Sequence, residues 1–240
     1  MDEPQLDVLA VGAHPDDVEI ACGGTVAKLA QQGYRVGIVD LTDGEPTPGA
    51  DSPEVRLAEA RHAAEILGVE TRVTLELPNR RLFDTFEARI ALAREIRRYR
   101  PRLVLGLGGE TPLASPDHYQ ASLITGAAVF YSRLTKWDDH FDDMPPHRVA
   151  KHLHCFLAFR SLAPVDSGGL VVDIGDTLEK KLAAIAAYES QFPPQRHAMF
   201  RRFRCFAEQQ GMAAGFDAGE VLASAGALGT RNLMGLLFDD

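Results

Sequence analysis

Residues 6–13 are apolar apart from Asp7 and show no alternation. An uninterrupted apolar run of this length reads as a strand covered on both faces, the pattern of a parallel sheet. Residues 23–33 carry Val26, Leu29 and Ala30 at helical spacing, with Gly33 placed to stop the helix. Residues 34–42 read as a second strand, and residues 43–54 as a polar loop rich in Gly and Pro. Pro53–Leu67 reads as a helix whose Ala58, Ala60, Ala63 and Ala64 allow close packing. A third strand over 71–78, a helix over 86–98 and a fourth strand over 102–108 follow. This alternation predicts an α/β fold: a Rossmann-like, doubly wound, mostly parallel sheet flanked by helices. Ligands of such sheets gather beyond the carboxyl ends of the strands. Residues 14–19 and 107–118 fall there.

The second half is less regular. Residues 118–134 read as a helix and 137–148 as a polar connection. Residues 148–160 and 169–174 read as strands. Residues 176–192 form an amphipathic helix with Asp176 or Thr177 as its cap, and 197–210 a further helix. The Gly- and Ala-rich tail over 211–240 is assigned no element. The pattern predicts one domain over 1–240, with a regular β/α half over 1–125 and a less regular half over 126–240.

Composition narrows the function. The chain has 240 residues and a formal charge of −9, so binding to a phosphate backbone is disfavoured and no nucleic acid is expected. The cationic stretches 97–102 and 200–204 read as solvated helix surface. Cys22, Cys155 and Cys205 are far apart and form no CxxC pair, which predicts reduced thiols and a cytoplasmic protein. The opening residues lack a signal-peptide pattern, and no apolar run reaches membrane-span length, so no membrane partner is expected.

The first strand exits into Gly-Ala-His-Pro-Asp-Asp-Val-Glu-Ile, residues 12–20. A dinucleotide site would need G-x-G-x-x-G here, and carboxylates would repel a pyrophosphate. Gly23 and Gly24 come too late and suit close packing. Imidazole beside carboxylates suits zinc or another divalent transition metal, with three protein ligands and an open position for water. His14 and one of Asp16 and Asp17 offer two ligands, and the second aspartate is placed to act on the water. His118, in Ser-Pro-Asp-His beyond the fourth strand, is the candidate third ligand. Asp117 beside it is a candidate to orient a neighbour. Glu19 reads as a helix-start carboxylate.

The motif Ala-His-Pro-Asp-Asp-Val-Glu, residues 13–19, followed by Pro-Asp-His, residues 116–118, resembles the LmbE/PIG-L-like zinc-dependent N-deacetylases. The bacillithiol-pathway branch is the nearest, with similar stretches at 7–42 and 171–192. The resemblance spans residues 6 to about 192. It implies hydrolysis of an acetamide on an N-acetylglucosamine derivative, a small-molecule amino-sugar conjugate, by a homo-oligomeric enzyme. By the same resemblance His14, Asp17 and His118 are metal ligands, and Asp16 is the general base. Arg56 contacts the sugar; read from its surroundings alone, it is equally a first-turn helix residue pairing with Glu54 or Glu59. Asp117 is the partner of a histidine that opens the family's HPDH motif.

That histidine is Ser115 here. A serine hydroxyl gives up no proton near neutral pH, and losing a positioned acid or an oxyanion donor costs about 10²–10⁴ in rate. Two alternatives to an efficient deacetylase therefore stand: a metal- or sugar-binding relative with impaired turnover, and an amidase with a shifted substrate. His152, His154 and His197 are the histidines available to substitute at position 115.

Overall fold

The computed structural model describes residues 5–47, 49–111, 114–157, 169–193 and 195–231. Its strands are β1 (Val8–Gly12), β2 (Val36–Asp40), β3 (Thr71–Thr74), β4 (Leu103–Leu107), β5 (Lys151–Cys155), β6 (Leu170–Asp173) and β7 (Gly219–Ser224). Its helices are α1 (Asp17–Gln31), α2 (Pro53–Leu67), α3 (Phe86–Tyr99), α4 (Asp117–Tyr131), α5 (Leu178–Ala186) and α6 (His197–Met212). The strands form one sheet in the order β3-β2-β1-β4-β5-β7-β6. The pairs from β3 to β5 are parallel, and β7 runs antiparallel to both β5 and β6.

Every residue of β1 is buried, as its unbroken apolar run requires. From β1 the chain moves to β2 on one side, and β4 later enters on the other. The gap between the carboxyl ends of β1 and β4 is therefore the switch point of the sheet, where the peptides that follow the two strands diverge and leave a crevice. Gly12 ends β1 and Leu107 ends β4, so the turns carrying residues 13–17 and 108–118 border that crevice.

Three sequence expectations are revised. The tail contains a strand, β7, completing the sheet between β5 and β6. The helix expected over 176–192 spans Leu178–Ala186, and the Thr177 hydroxyl donates to the Gly24 carbonyl at 2.8 Å instead of capping that helix. The strand expected over 148–160 is observed as Lys151–Cys155; residues 158–160 lie outside the described residues. The close-packing role of Gly24 stands, because a Cβ there would lie 2.7 Å from Ile174 Cδ1.

Candidate metal centre

Asp17 is the first residue of α1, and the turn before it folds around its carboxylate. Oδ2 accepts the amides of Ala13 and His14, each at 2.9 Å. Asp16 makes this tight turn possible by adopting φ 111° and ψ −24°, a region L residues avoid. Such a conformation costs about 1–3 kcal/mol in a non-glycine residue, so the surroundings must hold it in place. The Asp17 carboxylate is thus anchored to backbone before it meets any side chain.

His14 and His118 bring their rings to it. His14 Nδ1 lies 3.4 Å from Asp17 Oδ2, and His118 Nε2 lies 3.3 Å from Asp17 Oδ1. The two rings meet edge to face with centroids 5.2 Å apart. One ligand atom from each of His14, Asp17 and His118 falls within 4.8 Å of the others. A charge-assisted N–H···O⁻ contact closes to about 2.7–2.9 Å when nothing intervenes. The observed separations are wider. They match the edge of a zinc coordination tetrahedron, about 3.4 Å for bonds near 2.0–2.1 Å. Among the described residues His118 Nδ1 is buried without a hydrogen-bond partner, an under-satisfied group beside the cluster. The donor set and its spacing fit a zinc-sized divalent ion.

The charges respond to this crowding. Burial opposes the charged His14 ring, but hydrogen bonds to Asp117 and Asp17 outweigh it, and the pKa is pushed up to about 10. Burial also opposes ionisation of Asp17, yet His118 and His14 hold its carboxyl far below the usual range.

Asp117 opens α4 and turns towards His14, with Oδ2 3.4 Å from Nε2. The same oxygen accepts the Arg80 amide at 2.7 Å. The Asp117 carboxyl therefore contacts His14. The tie to position 115 runs through its amide, which donates to Ser115 Oγ at 3.3 Å. Arg56 is 3% exposed. Its Nη2 donates to the Pro15 carbonyl at 2.5 Å and to Asp16 Oδ2 at 3.0 Å. It pairs with neither Glu54 nor Glu59 in these contacts; it holds the strained turn. Burial pushes the Asp16 carboxyl up to about 7 against the pull of the Arg56 charge.

Glu19 lies in the first turn of α1, as expected of a helix-start carboxylate, and it is fully buried there. Its Oε1 accepts Arg72 Nη1 at 2.5 Å and the Tyr188 hydroxyl at 2.9 Å. Arg72 also grips Asp40 through both fork nitrogens, at 2.7 and 2.9 Å. Nothing in the local sequence separates Glu19 from an exposed acid; only Arg72 on β3 and Tyr188 beyond α5 make it internal.

The three alternative histidines do not take the place of Ser115 among the contacts of the described residues. His152 and His154 are neighbours on β5, with ring centroids 4.7 Å apart. They lie level with Val104 and Gly106 of β4, before its carboxyl end. A Cβ on Gly106 would come within 3.1 Å of His152 Nε2, so the glycine makes room for that ring. His197 is exposed at the start of α6.

Fold and cluster define a class: a doubly wound α/β protein with a His-Asp-His group that could hold a metal ion at its switch point. The chain belongs to the PIG-L family, described as GlcNAc-PI de-N-acetylase, whose pattern it matches over residues 9–129. It is 33% identical over 207 residues to the diacetylchitobiose deacetylase of Thermococcus kodakarensis, covering 80% of this chain and 74% of that protein. It is 31% identical over 249 residues to the 1D-myo-inositol 2-acetamido-2-deoxy-alpha-D-glucopyranoside deacetylase of Thermomonospora curvata, covering 80% and 82%. The crystal structure of the conserved protein TT1542 from Thermus thermophilus superposes with a TM-score of 0.80 at 32% identity, covering 94% of this chain and 97% of that one.

Proposed function

We propose that this chain is a zinc-dependent amidase that removes the acetyl group from an N-acetylglucosamine conjugate. The observation that carries the reading is the His14–Asp17–His118 cluster at the switch point, with Asp16 beside it. The deacetylases among its relatives supply the substrate class. When bound, zinc supplies Lewis acidity to the acetamide carbonyl and lowers the pKa of a water towards about 7.

The chain's own groups supply the rest. Asp16 takes the proton of the attacking water as general base. Arg56 holds Oδ2 of that carboxylate and so fixes its direction. Asp117 fixes the His14 ring through Nε2, and the Arg80 amide fixes Asp117. The proton gained by Asp16 is available to the departing amine, which becomes the free amino sugar as acetate leaves. Ser115 supplies a neutral hydroxyl already engaged with the Asp117 amide. This favours a second reading, a relative with slow turnover, whose rate lacks the contribution of a positioned acid.

Acetate release from several N-acetylglucosamine conjugates, with zinc and after chelation, tests the proposal. Zinc-dependent release is expected. Stoichiometric zinc binding without release from any conjugate would replace the first reading by the second.

A further inference from the structure

Helix α1 is broken. Cys22 has φ −148° and ψ 25°, so residues 17–21 form a short first turn that is offset from the longer helical segment behind it. In an unbroken helix the Ile20 carbonyl and the Gly24 amide would be partners across one turn. Here both are bound from outside α1. Lys181 Nζ donates to the Ile20 carbonyl at 2.8 Å. Glu220 Oε1 accepts the Gly24 amide at 3.0 Å, and Oε2 accepts the Thr25 amide at 2.7 Å. Lys181 and Glu220 meet at 2.5 Å. An ion pair is thus spliced into the backbone of a helix, cation on the carbonyl side and anion on the amide side. This arrangement also matches the dipoles of the two helical pieces. Both side chains are buried, at 4% and 1% exposure. The Thr177 hydroxyl holds the Gly24 carbonyl beside them.

The break matters because the piece before it is one turn long and carries Asp17. The direction of that turn decides whether the Asp17 carboxylate faces back over Ala13 and His14 and across to His118. A buried, bidentate, charge-balanced brace is stiff, whereas a lone turn of helix is not. We propose that Lys181 and Glu220 are positioning residues for the metal site: their ion pair sets the direction of the turn that presents Asp17. The inference rests on the reading of His14, Asp17 and His118 as the ligand set. It gives residues 177–181 and β7 a role in the site that they do not touch.

Zinc affinity of the full chain, measured by competition with a chromogenic chelator, tests this without any substrate. Glu220→Gln keeps the shape and removes the charge; Lys181→Met removes the cation. Each is expected to weaken zinc about 10–100-fold, the usual effect of disturbing groups that orient a metal ligand. The double variant should be no weaker than the poorer single one, because the pair acts as a unit. Leu182→Ala, at an apolar buried position of the same helix, should lower the melting temperature and leave zinc affinity within about twofold. Where Glu220→Gln does not fold, Glu220→Asp serves, since the shorter carboxylate cannot span both amides. Wild-type zinc affinity in any folded Glu220 or Lys181 variant would overturn the proposal. So would failure of every such variant to fold, which would make the pair a stability element. A wild-type chain that binds no zinc would instead overturn the ligand assignment itself.

Discussion

Asp17 and Glu19 lie two residues apart on one turn of α1 and point in different directions. Each enters a buried cluster of opposite charges. Around Glu19 the cluster is closed: Arg72 reaches Glu19 and Asp40 at 2.5–2.9 Å, and Tyr188 adds a hydrogen bond. Around Asp17 it is open: three acid–imidazole separations stand at 3.3–3.4 Å. Charges buried without water contract onto each other unless the backbone holds them apart or another charge belongs between them. Asp17 and Asp117 are both tied to backbone amides, so the second cluster is held apart. The closed cluster ties β2 and β3 to α1. The open one has the spacing of a ligand set.

Replacing Asp17 by Asn gives the largest effect. Zinc binding should fall below stoichiometric detection, and added zinc should no longer give the rise in melting temperature expected for wild type by mass action. A zinc-dependent rise in the variant would show that the open cluster is not the site. Asp16→Asn should retain zinc and lower turnover about 10²–10⁴-fold; equal loss of zinc and turnover would make Asp16 a ligand. Arg72→Met tests the closed cluster. Removing one partner of a buried ion pair costs about 3–5 kcal/mol in urea unfolding. A change below about 1 kcal/mol would mean that the network contributes little to stability.

A pH series sharpens the same contrast. His14 is held protonated up to about pH 10 in the metal-free chain, so zinc must displace a proton to bind it. Zinc affinity should therefore rise with pH, by about tenfold per pH unit for one proton between about pH 6 and 8. Calorimetry in buffers of different ionisation enthalpy would count the proton, and a count of zero would contradict the assignment. For folding the sign is opposite. A raised His14 pKa stabilises the metal-free fold below the unfolded pKa, and that contribution fades as pH rises through about 10. The last variant is Ser115→His, which should raise acetate release with zinc affinity unchanged. No gain would mean that Asp16 alone handles the proton.

The first half of the molecule was largely legible. β1 to β4 and the helices between them follow from apolar runs and helical spacing, and the switch point follows from their alternation. His14, Asp16, Asp17 and His118 were visible because ionisable residues at two strand exits stand out against apolar strands. Arg56 and Asp117 were singled out, but their contacts were not foreseen, because each reaches a residue about forty or a hundred positions away. Glu19, Lys181 and Glu220 were invisible as a group. A lone acid or lysine on an amphipathic helix or a short Gly- and Ala-containing strand reads as surface, and β7 itself is a strand by virtue of the slot between β5 and β6.

By itself, then, the chain's local pattern determined the doubly wound sheet and the residue types gathered at its switch point. Periodicity and strand-exit chemistry are written within short stretches of neighbouring residues. Tertiary structure alone decided which buried charges close on each other and which are held apart, where α1 breaks, and how Asp17 faces its histidines. Those outcomes depend on groups brought together from residues 14, 56, 72, 117, 181 and 220, and no local stretch of sequence contains them.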